Sequence, residues 1–263
     1  MKPNSSNTFK SYLLILLFLV ATHLNCLSQE LNLNKDLILS AGVNYCEVYR
    51  VEFSFDEASQ VEIFQKIISY NHGYVSALKT KTGRLKEYKY ENNILKKIIV
   101  SYTDEWNNKH IEAHQFEYDI NGMAIKELIY SDRGDLLYKI EYEYDQYSNI
   151  VLSKTIEKNG EVSDVTKNIY SYINNGSLID MKTIFNYDSI EDYKFNTFSH
   201  YEKILYEYDD NNRVKEEQHY FNEDLKSKSK KINYFYNEDG LIKKMIYYGF
   251  NNEPLYQEIF RYD

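Results

Sequence analysis

Tyr138-Lys139-Ile140-Glu141-Tyr142-Glu143-Tyr144-Asp145 alternates between apolar and charged side chains, the period of two that an extended strand with one wet face requires. Tyr138, Ile140, Tyr142 and Tyr144 fall on one side, and Lys139, Glu141 and Glu143 on the other. A helix would scatter the same residues around its circumference. The alternation stops at Asp145, whose carboxylate can accept the backbone N–H two residues on and so start a turn.

The closing phrase of that stretch recurs: aromatic, any residue, aromatic, then Asp, Asn or Glu. It begins at Tyr88, Phe116, Tyr142, Tyr206, Tyr234 and Phe260, with a degenerate copy at Tyr170-Ser171-Tyr172. Successive copies are 26 or 28 residues apart, except for one step of 36. Phe53-Ser54-Phe55-Asp56 would open one earlier unit. Turn chemistry follows the phrase in Asp119-Ile120-Asn121-Gly122, Asn174-Asn175-Gly176 and Asn237-Glu238-Asp239-Gly240. A second turn lies mid-unit, at Asp132-Arg133-Gly134, Asn159-Gly160 and Gly249-Phe250-Asn251-Asn252. Each unit is therefore two strands and two turns. Only two prolines interrupt the chain, which suits continuous hydrogen-bonded ladders.

A lone hairpin is marginal in water, so the units must pair edge to edge and bury one another's tyrosine faces. The expected fold is all-β: an antiparallel β-hairpin repeat array forming a long twisted, coiled meander sheet of roughly twelve to fourteen strands. The repeat domain is expected over 53–263, clearest from 88, after a lead-in at 29–52.

Residues 1–28 read as a secretory signal peptide: Lys2 and Lys10, an apolar run from Tyr12 to Ala21, then polar Thr22, His23 and Asn25. The run is too short to cross a bilayer core that needs roughly 20 residues, so no transmembrane segment is expected in the mature chain. Cleavage between Ser28 and Gln29 resembles the signal peptides of Bacteroidetes, which often leave Gln at the new N-terminus. Lipidation at Cys26 is the alternative, although His23-Leu24-Asn25 matches a lipobox poorly. Either route leaves Cys46 without a cysteine partner and reads it as a small core residue.

The chain carries a net charge of −9, and about −11 once Lys2 and Lys10 are removed. Nucleic acid is excluded as a partner on this balance. Lysines and glutamates are dispersed rather than blocked, as on a solvated mixed-charge face.

Tyr142-Glu143-Tyr144-Asp145, and Tyr206-Glu207-Tyr208-Asp209 leading to Arg213-Val214-Lys215, resemble the YD, or RHS, repeat family. That resemblance covers 88–263 and implies long coiled sheets that wrap into shells or stalks in exported proteins. Ser148 and Asn212 stand where its turn glycines are expected.

No catalytic constellation emerges. Asp119, Asp145, Asp209 and Asp263 share one place before a turn, which argues for backbone capping rather than a hydrolase pair. His110 and His114 have zinc-ligand spacing for a helix, but on a strand they stand about 13 Å apart, and position 111 is Ile where the metalloprotease phrase needs Glu. No cofactor is implied. A tyrosine row at strand spacing reads as core, with binding left to the rims. The unit of 36 residues has its surplus near Asn186–Tyr193, and this loop, with Tyr187 and Tyr193, is the candidate contact site. The functional expectation is a non-enzymatic structural or binding module, periplasmic, at the outer surface or extracellular. Its partner would be a protein or a glycan, and a carbohydrate-binding or carbohydrate-processing surface protein is the alternative.

Overall fold

A computed structural model of the chain describes residues 38–52, 62–173, 178–221 and 228–263. Sixteen strands follow one another: β1 (Tyr45–Glu52), β2 (Glu62–Asn71), β3 (Tyr74–Thr80), β4 (Leu85–Glu91), β5 (Ile94–Thr103), β6 (Lys109–Tyr118), β7 (Ala124–Ser131) and β8 (Leu136–Tyr144) form the first half. The second half is β9 (Ile150–Glu157), β10 (Val162–Ile173), β11 (Leu178–Tyr187), β12 (His200–Tyr208), β13 (Val214–Tyr220), β14 (Lys228–Tyr236), β15 (Ile242–Tyr248) and β16 (Pro254–Tyr262). One short helix, α1 (Ile190–Phe195), joins β11 to β12.

Each strand pairs antiparallel with its neighbours in sequence, and β1 pairs with β16 from Cys46↔Tyr262 to Glu52↔Tyr256. The sheet is thus a closed barrel. Closure leaves no edge strand with unpaired N–H and C=O groups. Two expectations are corrected here. The antiparallel hairpin array holds, but it does not run on as an open coiled meander. The YD/RHS resemblance, which implied a sheet continuing into a shell or stalk, is overturned by closure at sixteen strands. The barrel also takes its first strand from within the segment read as lead-in, 29–52, whereas Phe53-Ser54-Phe55-Asp56 and the signal segment lie outside the described residues.

The register sorts the two faces. Tyr88, Ile98, His114, Ile129 and Tyr138 form one cross-strand row on the inner face. Val48, Ile129 and Val100 on that face are fully or almost fully buried. Glu117, Lys126, Glu141 and Lys154 form an outer row on β6–β9, and Lys126 Nζ lies 2.8 Å from Glu117 Oε2. Lys139–Glu141 and Lys154–Glu143 pairs flank it at 2.8 and 3.0 Å. Farther around the wall, Lys215 pairs with Glu207 and Arg261 with Glu62.

Reversals after even-numbered strands gather, with the chain's entry into β1 and exit from β16, at what we call the lower end; those after odd-numbered strands form the upper end. The lower-end turns after β6, β8 and β12 share one chemistry. Asp119 Oδ1 accepts the N–H groups of Asn121 and Met123 at 2.9 and 2.8 Å. Asp145 and Asp209 do the same for Tyr147 and Asn149, and for Asn211 and Arg213. The left-handed residue that completes each turn is Gly122 at φ 81°, Ser148 at 66°, Asn212 at 59° and Gly240 at 82°. A register shift falls just before the second tyrosine of the phrase, at Glu117/Tyr118, Glu143/Tyr144, Glu207/Tyr208 and Phe235/Tyr236. Such bulges sharpen strand twist, which helps a sheet curl closed.

The second aromatic of the phrase is Tyr rather than Phe for a reason. Its hydroxyl donates to the backbone carbonyl at the start of the preceding strand: Tyr144 to Ala124 at 2.6 Å, Tyr208 to Ile179 and Tyr236 to Val214 at 2.7 Å, Tyr262 to Ile242 at 2.8 Å, and Tyr118 to Leu95. Each bond ties one hairpin to the next. In the degenerate copy, Tyr170 takes over the role at Ile150 O, 3.1 Å away, and Tyr172 bonds Asp145. Ile38 and Val43 pack with Leu241, Tyr70 and Tyr262 at the same end.

Removing one of these hydroxyls leaves a half-buried carbonyl without its partner. Tyr144→Phe and Tyr236→Phe should each destabilise the barrel by about 1 kcal/mol, additively because the sites are well separated. Tyr147→Phe, on an exposed turn ring, should be close to neutral. Urea denaturation of the parent, the three single variants and the Tyr144→Phe/Tyr236→Phe double variant checks this.

Candidate functional site

Three features of the barrel can carry chemistry: the inner-face polar networks, the repeated lower-end turns, and the irregular upper end. The inner face holds two Glu-x-His pairs, Glu112-Ala113-His114 on β6 and Glu217-Gln218-His219 on β13. Period-two alternation points both members of each pair inward.

Around His114, Nδ1 lies 2.6 Å from Glu127 Oε1 of β7. Glu127 is 0% exposed, and its other oxygen accepts the Tyr142 hydroxyl at 2.6 Å. Glu112 Oε2 stands 3.8 Å from His114 Nε2. A carboxylate this deep is tolerable because both of its oxygens are hydrogen-bonded and an opposite charge adjoins it. Burial pulls the imidazole's pKa down, but the adjacent carboxylates of Glu112 and hydrogen-bonded Glu127 outweigh it and leave it raised to about 9. The neighbouring His114 imidazole outweighs burial at Glu112, whose pKa is lowered. Lys86, also facing inward, is pulled down to about 8 by burial and by Arg84.

The second network repeats the logic. His219 Nδ1 is 2.7 Å from Glu202 Oε1 of β12, and Nε2 is 3.2 Å from Glu217 Oε2. Tyr234 donates to Glu217 Oε1 at 2.9 Å. Burial opposes protonation of His219, and its two carboxylates again win, raising its pKa. Both networks fasten neighbouring strands. Among the described residues, no group of three or more His, Cys, Asp or Glu side chains could hold a metal ion. His110 bonds Asp104 at 2.9 Å, and His114 is engaged with Glu127, so the two do not converge.

The turn carboxylates are occupied by turn amides, as expected of caps. Asp263 Oδ1 accepts the N–H of Tyr45 at 2.9 Å, which places it at the β1–β16 seam. Cys46 faces inward, 1% exposed, and burial pushes its thiol up to about 12, as suits a core residue.

Of the residues singled out in sequence, Cys26, Ser28 and Gln29 lie outside the described residues. Tyr187 and Tyr193 are brought together, with ring centroids 5.3 Å apart and edge-on at 86°. Tyr187 is fully buried with Leu152 and Val165 on the outer wall, beneath α1 and Phe198. Its hydroxyl donates to Asn196 Oδ1 at 2.9 Å. Ser189 caps α1 by accepting the Asp192 N–H at 3.1 Å. The ring that this loop exposes is Phe195, at 80%. Among the described residues, no helix is long and apolar enough to cross a membrane, which says nothing of strands.

Neither a protein-family model nor a curated protein matches the chain. Among solved structures, a porin-like protein from Bacteroides uniformis aligns over 84% of this chain and 96% of its own, with a TM-score of 0.51 at 9% identity. A porin-like protein from Bacteroides vulgatus covers 84% and 98% with a TM-score of 0.35 at 13% identity. A TcdB2–TccC3 structure covers 83% of this chain and 16% of its own with a TM-score of 0.25 at 9% identity; these last two carry no argument. The first likeness speaks for the barrel fold alone, in place of the YD/RHS assignment.

Because the His114 pKa is raised on folding, its stabilising contribution is complete below the unfolded value near 6.5 and is lost as pH rises through about 9. Stability should therefore fall between about pH 6.5 and 9. The loss should shrink in His114→Gln, as measured by denaturation midpoints across that range.

Proposed function

We propose that the chain is an exported, non-enzymatic β-barrel that acts as a binding or structural module at the cell envelope or outside the cell, with its wall facing water. The observation that carries this reading is the outer row Glu117–Lys126–Glu141–Lys154, which crosses four adjacent strands from the lower end of β6 to the middle of β9, continued elsewhere by Lys215–Glu207 and Arg261–Glu62. A lipid-facing wall needs an unbroken apolar band, and each Lys or Arg at its midplane costs about 2–4 kcal/mol. In this chain the outer wall carries these ion pairs, while the tyrosine phrase points inward. Export is supported by the basic, apolar, polar order of residues 1–28.

The inner His–Glu networks spend their hydrogen bonds between neighbouring strands, His114 and Tyr142 on Glu127, His219 on Glu202 and Tyr234 on Glu217. That favours a fastening role over catalysis. The upper end is where the repeat varies, with α1 and its flanks at 188–199 set among shorter reversals such as 132–135 and 158–161. Recognition on a regular scaffold concentrates in such irregular loops, so this end is the binding end.

Cell fractionation with mass spectrometry of the native N-terminus tests the reading. The expected result is a carbonate-extractable protein outside the cytoplasm whose first residue is Gln29. A diacylated Cys26 would convert the proposal to a tethered barrel. An intact Met1 in the cytoplasm, or an unlipidated chain that resists carbonate extraction, would reject it.

A further inference from the structure

Inside the barrel, side-chain exposure falls from the upper rim downward. On β6 it runs from 43% at His110 to 26% at Glu112 and 6% at His114, and on β1 Glu52 and Arg50 are open to water where Val48 is closed. This side of the lumen is a recess open at the upper end, floored at the level of Ile98, His114 and Ile129. One step above the floor, Lys86 pairs with Val100 and Val100 with Glu112; one step higher, Tyr102 pairs with His110. Arg84, the residue before β4, holds its guanidinium carbon 5.5 Å from the centroid of the Tyr102 ring. Arg84, Lys86, Tyr102 and Tyr138 all lie within reach of the Glu112 charge.

Two buried nitrogens in this recess, Arg84 Nε and His114 Nε2, have no hydrogen-bond partner among the described residues. Glu112 Oε2 stands 3.8 Å from His114 Nε2, beyond hydrogen-bond reach. A guanidinium is a donor only, and so is an imidazolium. Leaving a buried donor unpaired is costly, so the partner that fits both is an acceptor. Glu127 is already engaged by His114 Nδ1 and by Tyr142. Of the acids that act on Lys86, that leaves Glu112 to face Arg84, Lys86 and His114 Nε2 together.

We propose that this recess binds the carboxylate of a small organic anion, held by Arg84, Lys86 and His114 Nε2, with the Tyr102 and Tyr138 rings beside it. The proposal rests on the upper end being the binding end, as argued above, and names the ligand class taken there.

Arg84 and Lys86 repel each other in a half-buried place. Burial first, and then Arg84, bring the lysine down to about 8 against the pull of Glu127 and Glu112. An anion seated beside both cations removes that repulsion. A planar carboxylate matches the guanidinium fork and brings a single charge. A phosphate dianion would set two charges against Glu112, and a neutral sugar would leave the two cations uncompensated. The tyrosine rings suit an organic remainder, since a ligand site is mostly apolar wall with a few convergent polar groups. Glu112, the open side chain above His114, turns toward the rim as the anion enters, and the ligand oxygen then reaches Nε2.

The test is isothermal titration calorimetry of the chain beginning at Gln29 with acetate, benzoate, glucuronate and inorganic phosphate at pH 8, in two buffers of different ionisation enthalpy. Lys86 faces Arg84 beside it, Glu112 of β6 and Glu127 of β7, with Leu78 and Val100 on the flanking strands. A bound anion therefore raises its pKa, and the complex takes up protons at that pH. The expected result is saturable binding of at least one carboxylate, tighter than that of phosphate and accompanied by proton uptake. Arg84→Gln should weaken it tenfold or more, and Lys86→Met should weaken it and reduce the uptake. Lys139→Gln, on the outer wall, should change neither. Thermal midpoints show which variants are folded, and either one of the first two suffices. Binding of none of the three carboxylates, tighter binding of phosphate, or parent-like binding by a folded Arg84→Gln or Lys86→Met protein would each overturn the assignment. The export reading stands or falls separately, on the mass of the native N-terminus.

Discussion

Everything in this barrel depends on the seam between β1 and β16. Sixteen strands in simple up-and-down order would otherwise end in two bare edges, each a row of unpaired N–H and C=O groups open to another chain. At the seam, Val48 pairs with Phe260 and Arg50 with Glu258, and Asp263 reaches across to the N–H of Tyr45. Closure also defines the two faces. A sheet with one concave side can send every tyrosine phrase inward and leave Lys126, Glu141 and Lys154 to water.

The two ends divide the work. After β6, β8, β12 and β14 the lower end repeats one unit: an Asp or Asn turn, a left-handed residue, a bulge, and a tyrosine hydroxyl that satisfies the carbonyl opening the previous hairpin. Repetition gives those four hairpins the same link to their neighbours. The upper end also has the left-handed turn residue, at Asn107, Gly134, Gly160 and Asn252, and Asp104 caps its turn as Asp119 does, but it departs from that pattern after β11. It accommodates α1 and the exposed rings of Trp106 and Phe250 without disturbing the wall.

Most of the local structure was legible in the sequence. The Tyr138–Tyr144 alternation specified β8 and its inner face, and Asp119, Asp145 and Asp209 announced their turns. Ser148 and Asn212 hold the left-handed position that glycine fills elsewhere, so the turn survives a sequence that obscures it. Closure was not legible, because it depends on summed twist and stagger over all sixteen strands, and because Cys46, Val48 and Arg50 carry only a weak alternation. The His–Glu networks were hidden for a related reason. His114 meets Glu127, and His219 meets Glu202, only once the strand register is fixed. The available signal was Glu-x-His on an inward face, twice, at Glu112–His114 and Glu217–His219. The surplus around Asn186–Tyr193 was visible as length, but not as a helix whose anchoring tyrosine is buried and whose exposed ring is Phe195.

The central claim is closure, and residue-resolved amide hydrogen exchange in β1 tests it most directly. Along an antiparallel strand, successive N–H groups alternate between the two neighbours, so half of those in Cys46–Val51 face β2 and half face β16. The closed barrel predicts that both sets exchange slowly, as in the central strand β8. Rapid exchange confined to the set facing β16 would contradict it, and would mean an open sheet.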